Sequence, residues 1–403
     1  MPREAPFTFQ FPSPAEALGE LLSHARPVEA ESIPLAESPG RVLAQAITTD
    51  RPSPPADVSS MDGYAVRLAD VTTNELPIAG EVRIGREPPS LPAGTCLRIV
   101  TGGAIPVGAD AVIKREDVTE HPDRIQFPRA LRLQSGQYIR RAGENLAAGA
   151  LVVPPGTVIT SPIAGALATF GVSSPAVHRR IELAVLTTGD ELVEVHKHPT
   201  PFQLRDSNGP ALRSLFQPLS FICLTHTHIP DDAPAMNATV ARALATADAV
   251  ILTGGVSMGH RDFVADALAA NGIRTIFHGV PQRPGKPILG GIAPGGRPIL
   301  ALPGNPVSVM VTARRIALPA IRARAGITAA CSVPSLVHLA NPDTKAIDLW
   351  WHRPVRLIGA GGAELLDARS SGDIPGAAAT DGFVEIPPHN SGPGPWPFYA
   401  WQG

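Results

Sequence analysis

Ala249-Val-Ile-Leu-Thr-Gly-Gly-Val-Ser-Met-Gly259 is the stretch that decides the fold of this chain, because an apolar run enters a glycine-rich turn there. Further along, Ile299-Leu-Ala-Leu-Pro-Gly-Asn-Pro-Val-Ser308 repeats this layout. Both runs have the length of buried parallel strands, and a helical pattern follows each turn. Exposed amides at such turns attract negative charge, which predicts a phosphate or oxyanion site. A close strand-to-helix junction is the structural alternative for either turn taken alone.

Strand-like and helix-like segments alternate around these turns, between residues 182 and 326. Apolar runs at residues 183–186 and 221–224 indicate further strands, and helices are predicted after Ser207 and from about Ala233. This alternation predicts a doubly wound α/β domain with a parallel sheet. Ligands of such domains bind at the carboxyl ends of the strands.

The flanking segments have a different character. Residues 50–140 contain short β-branched or alternating pieces between Pro and Gly turns, which predicts a β-rich module. The same pattern returns after residue 326 and predicts a small C-terminal β-domain. Helices are predicted after Ser13-Pro14 and Ser161-Pro162, because each pair combines a capping serine with a first-turn proline, and the second helix ends at Gly171.

Composition limits the class of protein. The chain has 403 residues, with 34 Lys and Arg against 36 Asp and Glu, and its basic residues are scattered. The length suits roughly two to four domains, and the charge balance gives no argument for binding to nucleic acid or an anionic membrane. Three widely spaced cysteines fit a reducing compartment, so the cytoplasm is the expected location. No export signal and no membrane span are predicted.

Carboxylates follow several of the predicted strands. Asp190 and Glu191 follow the first strand of the alternating region, Asp231 and Asp232 follow the next, and Asp262 comes shortly after the first glycine-rich turn. Acids at strand ends suggest Mg2+ binding or general acid–base chemistry. Capped turns and helix-dipole pairing are the alternatives. Helix capping explains one of the two adjacent aspartates more simply than it explains both.

Other polar motifs are ambiguous when taken singly. Arg283 and Lys286 lie on a rigid Pro-Gly turn that suits an oxyanion, with a solvated surface loop as the alternative. Asp62 is followed by glycine and reads equally well as a turn residue. His226 and His228 share one face of a strand end, but no further ligand lies at a suitable spacing, which favours a structural role over zinc binding.

Taken in order, the motifs of this chain resemble the molybdopterin molybdenumtransferase family, which includes the gephyrin E-domain. Ser371-Gly-Asp-Ile and Asp381-Gly-Phe-Val also resemble the C-terminal barrel of that family. The remaining motifs, which follow the family order over nearly the whole chain, are Ser60-Met-Asp-Gly-Tyr-Ala65, Thr101-Gly-Gly with Gly108-Ala-Asp-Ala-Val112, Ile139-Arg-Arg-Ala-Gly-Glu144, Thr188-Gly-Asp-Glu-Leu192, Asp231-Asp232, Thr253-Gly-Gly-Val-Ser257, Pro284-Gly-Lys-Pro287 and Leu302-Pro-Gly-Asn-Pro-Val-Ser308.

The resemblance implies an elongated homodimer with four domains in each chain. An α/β domain similar to the molybdopterin adenylyltransferase fold would comprise residues 1–24 and 179–326, and a linking domain would comprise residues 25–50 and 141–178. Residues 51–140 would form a β-rich inserted domain, and residues 327–403 a C-terminal β-barrel. The active cleft would be shared between subunits, with Asp62 and Thr101 facing the α/β domain of the partner.

The resemblance also implies the chemistry, which is insertion of molybdate into adenylylated molybdopterin with release of AMP, assisted by Mg2+. Partners would be the pterin substrate, a molybdopterin adenylyltransferase and molybdoenzymes. The implied catalytic residues are Asp62, Thr101, Glu191, Asp231 and Asp262, and the implied metal ligands are Asp190, Glu191, Asp231 and Asp262. The implied substrate-binding residues are Thr253, Gly254, Gly255, Ser257, Arg283, Lys286, Pro303, Gly304, Asn305 and Ser308.

Two positions depart from the family pattern. Asn145 stands where many members carry an aspartate, and Gly279 stands where a lysine is frequent. One carboxylate and one cation are therefore missing, and a catalytically weakened carrier or scaffold of the same family stays an alternative to the enzyme. Adenylylation of molybdopterin is a third reading, since a shared fold does not fix the activity. The sequence does not choose between molybdate and tungstate, because the two oxyanions have nearly the same size and charge.

Overall fold

The computed structural model describes residues 9–255, 263–366 and 370–402. These residues form two compact units. As far as they are described, Met1–Gln45, Pro155–Gly165 and Ser173–Gly403 make up the first unit. The second unit comprises Ala46–Pro154 and Ala166–Val172. Each unit is thus assembled from separate stretches of the sequence.

Helices and strands are numbered along the chain. The α-helices among the described residues are α1 (Pro14–His24), α2 (Ser161–Thr169), α3 (Asn208–Phe216), α4 (Ala233–Thr246), α5 (Phe263–Ala270), α6 (Pro306–Thr312), α7 (Leu318–Arg324) and α8 (Ile374–Ala378), with a π-helical turn at Ala313–Ala317. The strands are β1 (Ala30–Ser32), β2 (Ile47–Thr48), β3 (Val58–Ser59), β4 (Gly63–Val66), β5 (Glu75–Glu81), β6 (Cys96–Ile99), β7 (Ala111–Lys114), β8 (Thr119–Glu120), β9 (Arg124–Gln126), β10 (Ile139–Arg140), β11 (Leu151–Val153), β12 (Ala176–His178), β13 (Ile181–Thr188), β14 (Leu192–Val193), β15 (Leu204–Arg205), β16 (Ile222–Ile229), β17 (Ala249–Thr253), β18 (Arg274–His278), β19 (Gln282–Arg283), β20 (Leu289–Ala293), β21 (Arg297–Leu302), β22 (Ser335–Leu339), β23 (Trp350–Leu357), β24 (Gly362–Leu365), β25 (Gly382–Ile386) and β26 (Trp396–Ala400). None of the described helices has the length and apolar character needed to cross a membrane.

A six-stranded sheet forms the centre of the first unit, in the order β16-β13-β17-β21-β20-β18. The first four strands are parallel, and β20 runs antiparallel to both of its neighbours. Every residue of β17 is buried, as expected for a strand covered on both faces. The predicted parallel sheet is confirmed, and it is extended at one edge by the antiparallel strand β20 and then by β18, which runs in the direction of the first four.

Helices cover both faces of this sheet. On one face Leu18 of α1, Leu212 of α3 and Ile321 of α7 enter the core. On the other face Met236 of α4 and Leu268 of α5 do the same. Because apolar layers lie on both sides, the doubly wound α/β arrangement predicted from the sequence is confirmed.

The two helices predicted from a serine followed by a proline are both present. In α1 the Oγ of Ser13 accepts a hydrogen bond from the backbone N–H of Glu16 at 3.1 Å, and Pro14 takes the first helical position. Helix α2 ends shortly before Gly171, whose φ of 74° gives the left-handed turn that stops it.

The C-terminal part of the first unit is a closed five-stranded barrel. Its strands pair in the order β23-β24-β22-β26-β25, and β25 returns to β23. Val355, Leu365 and Val384 lie in its apolar core. Strand β19 joins β23 in parallel from outside the ring. Since β19 leads directly into the Pro-Gly turn before Lys286, the barrel supports the cationic turn that the sequence singles out.

The second unit contains a six-stranded sheet in the order β7-β4-β6-β5-β9-β8. Tyr64 and Ile113 are buried in an apolar cluster of this unit. A side chain at Gly63 is excluded, because its Cβ would lie 1.9 Å from the carbonyl oxygen of Ile113. The β-rich module predicted from the sequence is confirmed.

Candidate functional site

A cleft of about 590 Å³ lies where four parallel strands of the first unit end. Strands β13, β16, β17 and β21 all deliver their carboxyl ends to it, which is where ligands bind in this class of sheet. The wall is formed by Thr188, Gly189, Asp190, Glu191, Leu192, Leu204, Arg205, Ser207, Asn208, Asp231, Met236, Gly254, Gly255, Val264, Pro287, Pro303, Gly304, Asn305 and Pro306.

The two glycine turns of the sequence lie against each other in this cleft. The N–H of Gly254 donates to the carbonyl of Leu302 at 3.1 Å, and a Cβ on Gly304 would lie 3.5 Å from the Cα of Gly254. Gly254 and Gly255 have φ values of 89° and 66°, in the left-handed region that favours glycine. The turns therefore present bare backbone to the cleft.

Replacing Gly254 with alanine is expected to lower stability, because its Cβ would lie 2.5 Å from the Oγ1 of Thr188. Gly272 is the matched control, since its φ is 72° and nothing lies within 4 Å of its Cβ position. Gly272→Ala carries the backbone strain alone, so Gly254→Ala should lose about 1–3 kcal/mol more in urea unfolding. Equal losses would show that the close approach of Thr188 is unimportant.

Three of the predicted carboxylates line the cleft together. They are Asp190, Glu191 and Asp231, and the backbone N–H of Asp231 donates to Oδ1 of Asp190 at 3.0 Å. Asp232 is used differently, because its Oδ2 accepts from the N–H of Ala235 and caps α4. Helix capping thus accounts for the second aspartate of the pair and leaves the first exposed in the cleft.

Some of the predicted metal ligands and substrate contacts are not among the residues of the cleft wall. Within residues 9–255, 263–366 and 370–402 there is no group of three or more His, Cys, Asp or Glu side chains arranged to hold a metal ion. Asp262 and Ser257, predicted as a metal ligand and a substrate contact, lie outside the described residues. Thr253 is 1% exposed and does not belong to the cleft wall.

Helix α3 adds a residue that sequence reasoning missed. Asn208, the first residue of α3, donates from Nδ2 to the carbonyl of Gly304 at 2.9 Å. Its Oδ1 and the Oγ1 of Thr253 are buried and have no hydrogen-bond partner among the described residues. Buried polar atoms are nearly always paired. Of the two residues, only Asn208 lines the cleft, so it is the one that adds hydrogen-bonding capacity beside a ligand there.

A second cavity, of about 460 Å³, lies between the Pro-Gly turn at Lys286 and the barrel. It shares Pro287, Pro303 and Asn305 with the first cleft, so the two spaces adjoin. We call it the basic cavity, because the described part of its wall contains three cations and no carboxylate. The described wall residues are Gln282, Arg283, Pro284, Gly285, Lys286, Pro287, Pro303, Asn305, Val307, Ser308, Leu349, Trp351, His352, Arg353, Pro354, Ser370 and Ser371.

The predicted substrate residues are therefore divided between two adjoining spaces. Gly254, Gly255 and Gly304 line the first cleft, which we call the acidic cleft for its three carboxylates. Arg283, Lys286 and Ser308 line the basic cavity. Pro303 and Asn305 belong to both. The cavity also includes barrel residues to which sequence reasoning gave no role, among them Arg353 and Ser371, although Ser371 stands in a motif noted for its resemblance to the family barrel.

The wall between barrel and sheet is fixed by direct contacts. Asn305 donates from Nδ2 to the Oγ of Ser371 at 2.8 Å. Arg353 forms an ion pair with Asp343 at 3.0 Å and lies over the ring of Trp351. The hydrogen bond joins side chains of two distant sequence regions, and the contacts of Arg353 fix its position within the barrel.

Asp62 and Thr101 meet in the second unit. The Oδ1 of Asp62 accepts from the backbone N–H of Thr101 at 2.7 Å and from its hydroxyl at 2.9 Å. The backbone hydrogen bond, followed by that from the hydroxyl, lowers the pKa of Asp62 below its ordinary value. The carboxylate is exposed. The pair predicted from two separate motifs thus forms one ionised group at the surface of its unit.

Asn145 and Gly279, the two positions that depart from the family pattern, both lie in described parts of the chain. Asn145 accepts a hydrogen bond from Arg140 Nη2 at 2.5 Å and donates to the Oγ of Ser53 at 3.3 Å. Gly279 has a φ of 91°, which a lysine rarely adopts. A lysine at this position would therefore carry backbone strain in this chain.

The two histidines of β16 contribute to a separate cavity of about 530 Å³. His226 Nε2 lies 3.0 Å from the Oγ1 of Thr187 and 3.3 Å from Oδ2 of Asp206. Asp206 in turn accepts from the N–H of Gly209 at the start of α3. His226 thus supports the helix that carries Asn208, which agrees with the structural role favoured by the sequence.

Comparison with known proteins yields two family models. The model described as MoeA N-terminal region (domain I and II) matches residues 12–171, and the model described as probable molybdopterin binding domain matches residues 184–323. A curated molybdopterin molybdenumtransferase of Synechocystis sp. is 31% identical over 373 residues, which cover 90% of this chain and 93% of the relative. One from Synechococcus elongatus is 36% identical over 309 residues, covering 74% and 76%.

Solved structures give the same similarity over the whole chain. The molybdopterin biosynthesis moeA protein from Pyrococcus horikoshii OT3 superimposes with a TM-score of 0.79 at 25% identity, and the match covers 96% of this chain and 97% of the other. A second structure of a moeA protein, from Pyrococcus horikosii, gives a TM-score of 0.78 at 27% identity, with 97% and 99% covered.

Proposed function

This chain belongs to the molybdopterin molybdenumtransferase family, and from that premise we propose that it inserts molybdate into adenylylated molybdopterin and releases AMP. The names of relatives that match most of the chain support this activity. The observation that carries the proposal for this chain is the pair of adjoining spaces, one acidic and one basic, joined at Pro303 and Asn305.

The two spaces suit different parts of the reaction. The substrate carries a phosphoanhydride, and molybdate is a dianion that requires cations and hydrogen-bond donors. We assign molybdate to the basic cavity, with Arg283 and Lys286 supplying charge and Ser308 a hydroxyl. We assign the phosphoanhydride to the cleft, where the bare backbone at Gly254 and Gly255 permits close approach. This arrangement brings the incoming oxyanion next to the pterin end of the substrate.

Mg2+ is the metal that fits the acidic cleft best. Its ligands would be oxygens of Asp190, Glu191 and Asp231, with Asp262 as a further candidate. Mg2+ is typically bound by one or two carboxylates together with water and substrate phosphates, so a preformed group of three side chains is not required. The ion would neutralise charge on the phosphoanhydride. The role of the carboxylates would be to hold this ion, because their own negative charge repels the phosphates.

We also propose that Asp62 and Thr101 complete the cleft of a second copy of the chain. The exposed, ionised carboxylate of Asp62, held by Thr101, is available to a partner surface. Mixing Asp62→Ala protein with Glu191→Ala protein tests this directly. Partial recovery of activity in the mixture would support a shared site. A mixture as inactive as each variant alone, or a wild-type protein that is monomeric by light scattering, would exclude it.

The enzymatic proposal is tested by AMP release from adenylylated molybdopterin. Wild-type protein should release AMP in a manner that depends on molybdate and on Mg2+, and EDTA should abolish the release. Glu191→Gln should need a higher Mg2+ concentration, because it removes one anionic oxygen ligand at nearly constant volume. Glu194→Gln, just beyond β14 and outside the cleft wall, is the matched control and should behave as wild type. Pterin binding without AMP release would favour the carrier or scaffold alternative.

A further inference from the structure

The basic cavity contains two buried side chains with an unsatisfied polar atom. Gln282 is 0% exposed and His352 is 1% exposed. Gln282 donates from Nε2 to the carbonyl of Gly285 at 3.1 Å, but its Oε1 has no partner among the described residues. The same holds for Nδ1 of His352. Two such atoms on residues that line one cavity are unusual, because buried polar atoms are normally paired.

The other ring nitrogen of His352 fixes the character of Nδ1. Nε2 lies 3.0 Å from Oε2 of Glu385, which also accepts from Nε of Arg315 at 2.6 Å. Burial raises the pKa of Glu385, but the hydrogen bond from His352 and the charge of Arg315 outweigh it and lower the pKa to about 2. The ionised carboxylate only accepts hydrogen bonds. In the neutral ring the proton is therefore on Nε2, and Nδ1 carries a lone pair.

The charge of Glu385 is already balanced by Arg315, which approaches it through both Nε and Nη2. The ring of Phe383 packs edge-on against His352, with 5.4 Å between the ring centroids. The imidazole is thus held in one orientation by a carboxylate and an aromatic ring. Both unsatisfied atoms of the cavity, Oε1 of Gln282 and Nδ1 of His352, are then hydrogen-bond acceptors.

Acceptors in a cation-lined cavity place a requirement on the ligand. Arg283, Lys286 and Arg353 favour an anion, whereas an oxygen lone pair of that anion is repelled by Nδ1 of His352. Both conditions are met when the anion carries a hydrogen on one of its oxygens. Resting on the proposed function, we propose that His352, aided by Gln282, accepts a hydrogen bond from an O–H of a protonated tetrahedral oxyanion and thereby selects molybdate over sulfate.

The selection follows from the basicity of the oxyanions. Sulfate is a very weak base and is bound without a proton, so it leaves the two buried acceptors unpaired. Molybdate is a stronger base and can take up a proton on binding. Phosphate already carries an O–H near neutral pH. The order expected for the basic cavity therefore places molybdate and phosphate ahead of sulfate, although all three are tetrahedral.

The test is isothermal titration of the full chain with sulfate, phosphate and molybdate, without pterin. At mildly alkaline pH phosphate is mostly a dianion like sulfate and differs from it by one O–H. Phosphate should bind at least about tenfold more tightly, as expected for one hydrogen bond to a charged group. His352→Gln, which keeps a donor toward Glu385 but has no counterpart of Nδ1, should remove this difference and leave sulfate binding unchanged. Lys286→Ala should weaken all three oxyanions.

Arsenate and selenate repeat the comparison in the wild-type chain, since only arsenate carries an O–H. They keep the test valid if His352→Gln does not fold, which its circular dichroism and thermal midpoint will show. The inference would be overturned if phosphate bound no more tightly than sulfate and arsenate no more tightly than selenate. It would also be overturned if these differences in affinity persisted in folded His352→Gln, or if no oxyanion bound. Loss of AMP release with intact discrimination would instead overturn only the proposed function, because binding is measured without the pterin.

Discussion

Replacing Asp248 with alanine is expected to lower the free energy of unfolding by about 3–5 kcal/mol, the usual loss when one partner of a buried ion pair is removed. Asp248 is 5% exposed. Its carboxylate accepts from Arg179 at 2.6 and 2.8 Å, from Arg324 at 3.0 Å and from the N–H of Glu182 at 3.0 Å. Alanine would leave the buried guanidinium of Arg324 without its anion. Urea unfolding of both proteins measures the difference.

The same carboxylate makes stability depend on pH. Burial raises the pKa of Asp248, but the hydrogen bonds from Arg179, Glu182 and Arg324 outweigh it and lower the pKa from 3.8 to about 2. A lowered pKa means that the contribution is complete above 3.8 and is lost as the pH falls toward 2. Asp248→Ala should therefore differ most from wild type near neutral pH and progressively less in acid.

Asp348 provides the control for this prediction. Its side chain is 86% exposed and lies 2.9 Å from Nε2 of His389. Exposed ion pairs contribute little to stability, so Asp348→Ala should unfold at nearly the same urea concentration as wild type. Similar losses in both variants would contradict the role assigned to burial at Asp248.

Replacing Lys286 with alanine is expected to lower kcat/KM for molybdate by about 10²–10³, the range found when one donor to a developing or bound oxyanion is removed. Lys286 lies on the turn that links β19 to the sheet and belongs to the wall of the basic cavity. The measurement is the initial rate of AMP release over a molybdate series.

Two further variants are the controls for Lys286→Ala. Lys286→Arg keeps the charge and should recover part of the rate, although a guanidinium does not have the geometry of an ammonium. Lys345→Ala removes an exposed lysine of the barrel region and should leave the rate unchanged. A Lys286→Ala enzyme with wild-type dependence on molybdate would place the oxyanion elsewhere.

Local chemistry made much of this site predictable. The glycine turns after β17 and β21 and the acids after β13 stand directly at strand ends, and parallel strands bring their carboxyl ends to one edge. The choice between Asp231 and Asp232 depended on where α4 begins. Asp232 immediately precedes α4, with Pro234 in its first turn, a combination that marks a capping residue.

The basic cavity could be predicted only in part, because half of its wall comes from pairing across a long stretch of sequence. Arg283 and Lys286 stood out as cations on a rigid turn. Arg353 and His352 did not, because only the pairing of β19 with β23 brings the barrel against that turn. Gly279 likewise looked like a lost cation, whereas its φ of 91° gives a local reason for glycine.

We propose that one chain both takes up molybdate and releases AMP at the adjoining cleft and cavity. The most direct measurement quantifies AMP and pterin-bound molybdenum in the same samples during a molybdate series with adenylylated molybdopterin and Mg2+. The two products should rise together, in equal amounts, and both should fall in Lys286→Ala and in Glu191→Gln at low Mg2+. AMP release without molybdenum uptake, or tight pterin binding with neither product, would contradict it.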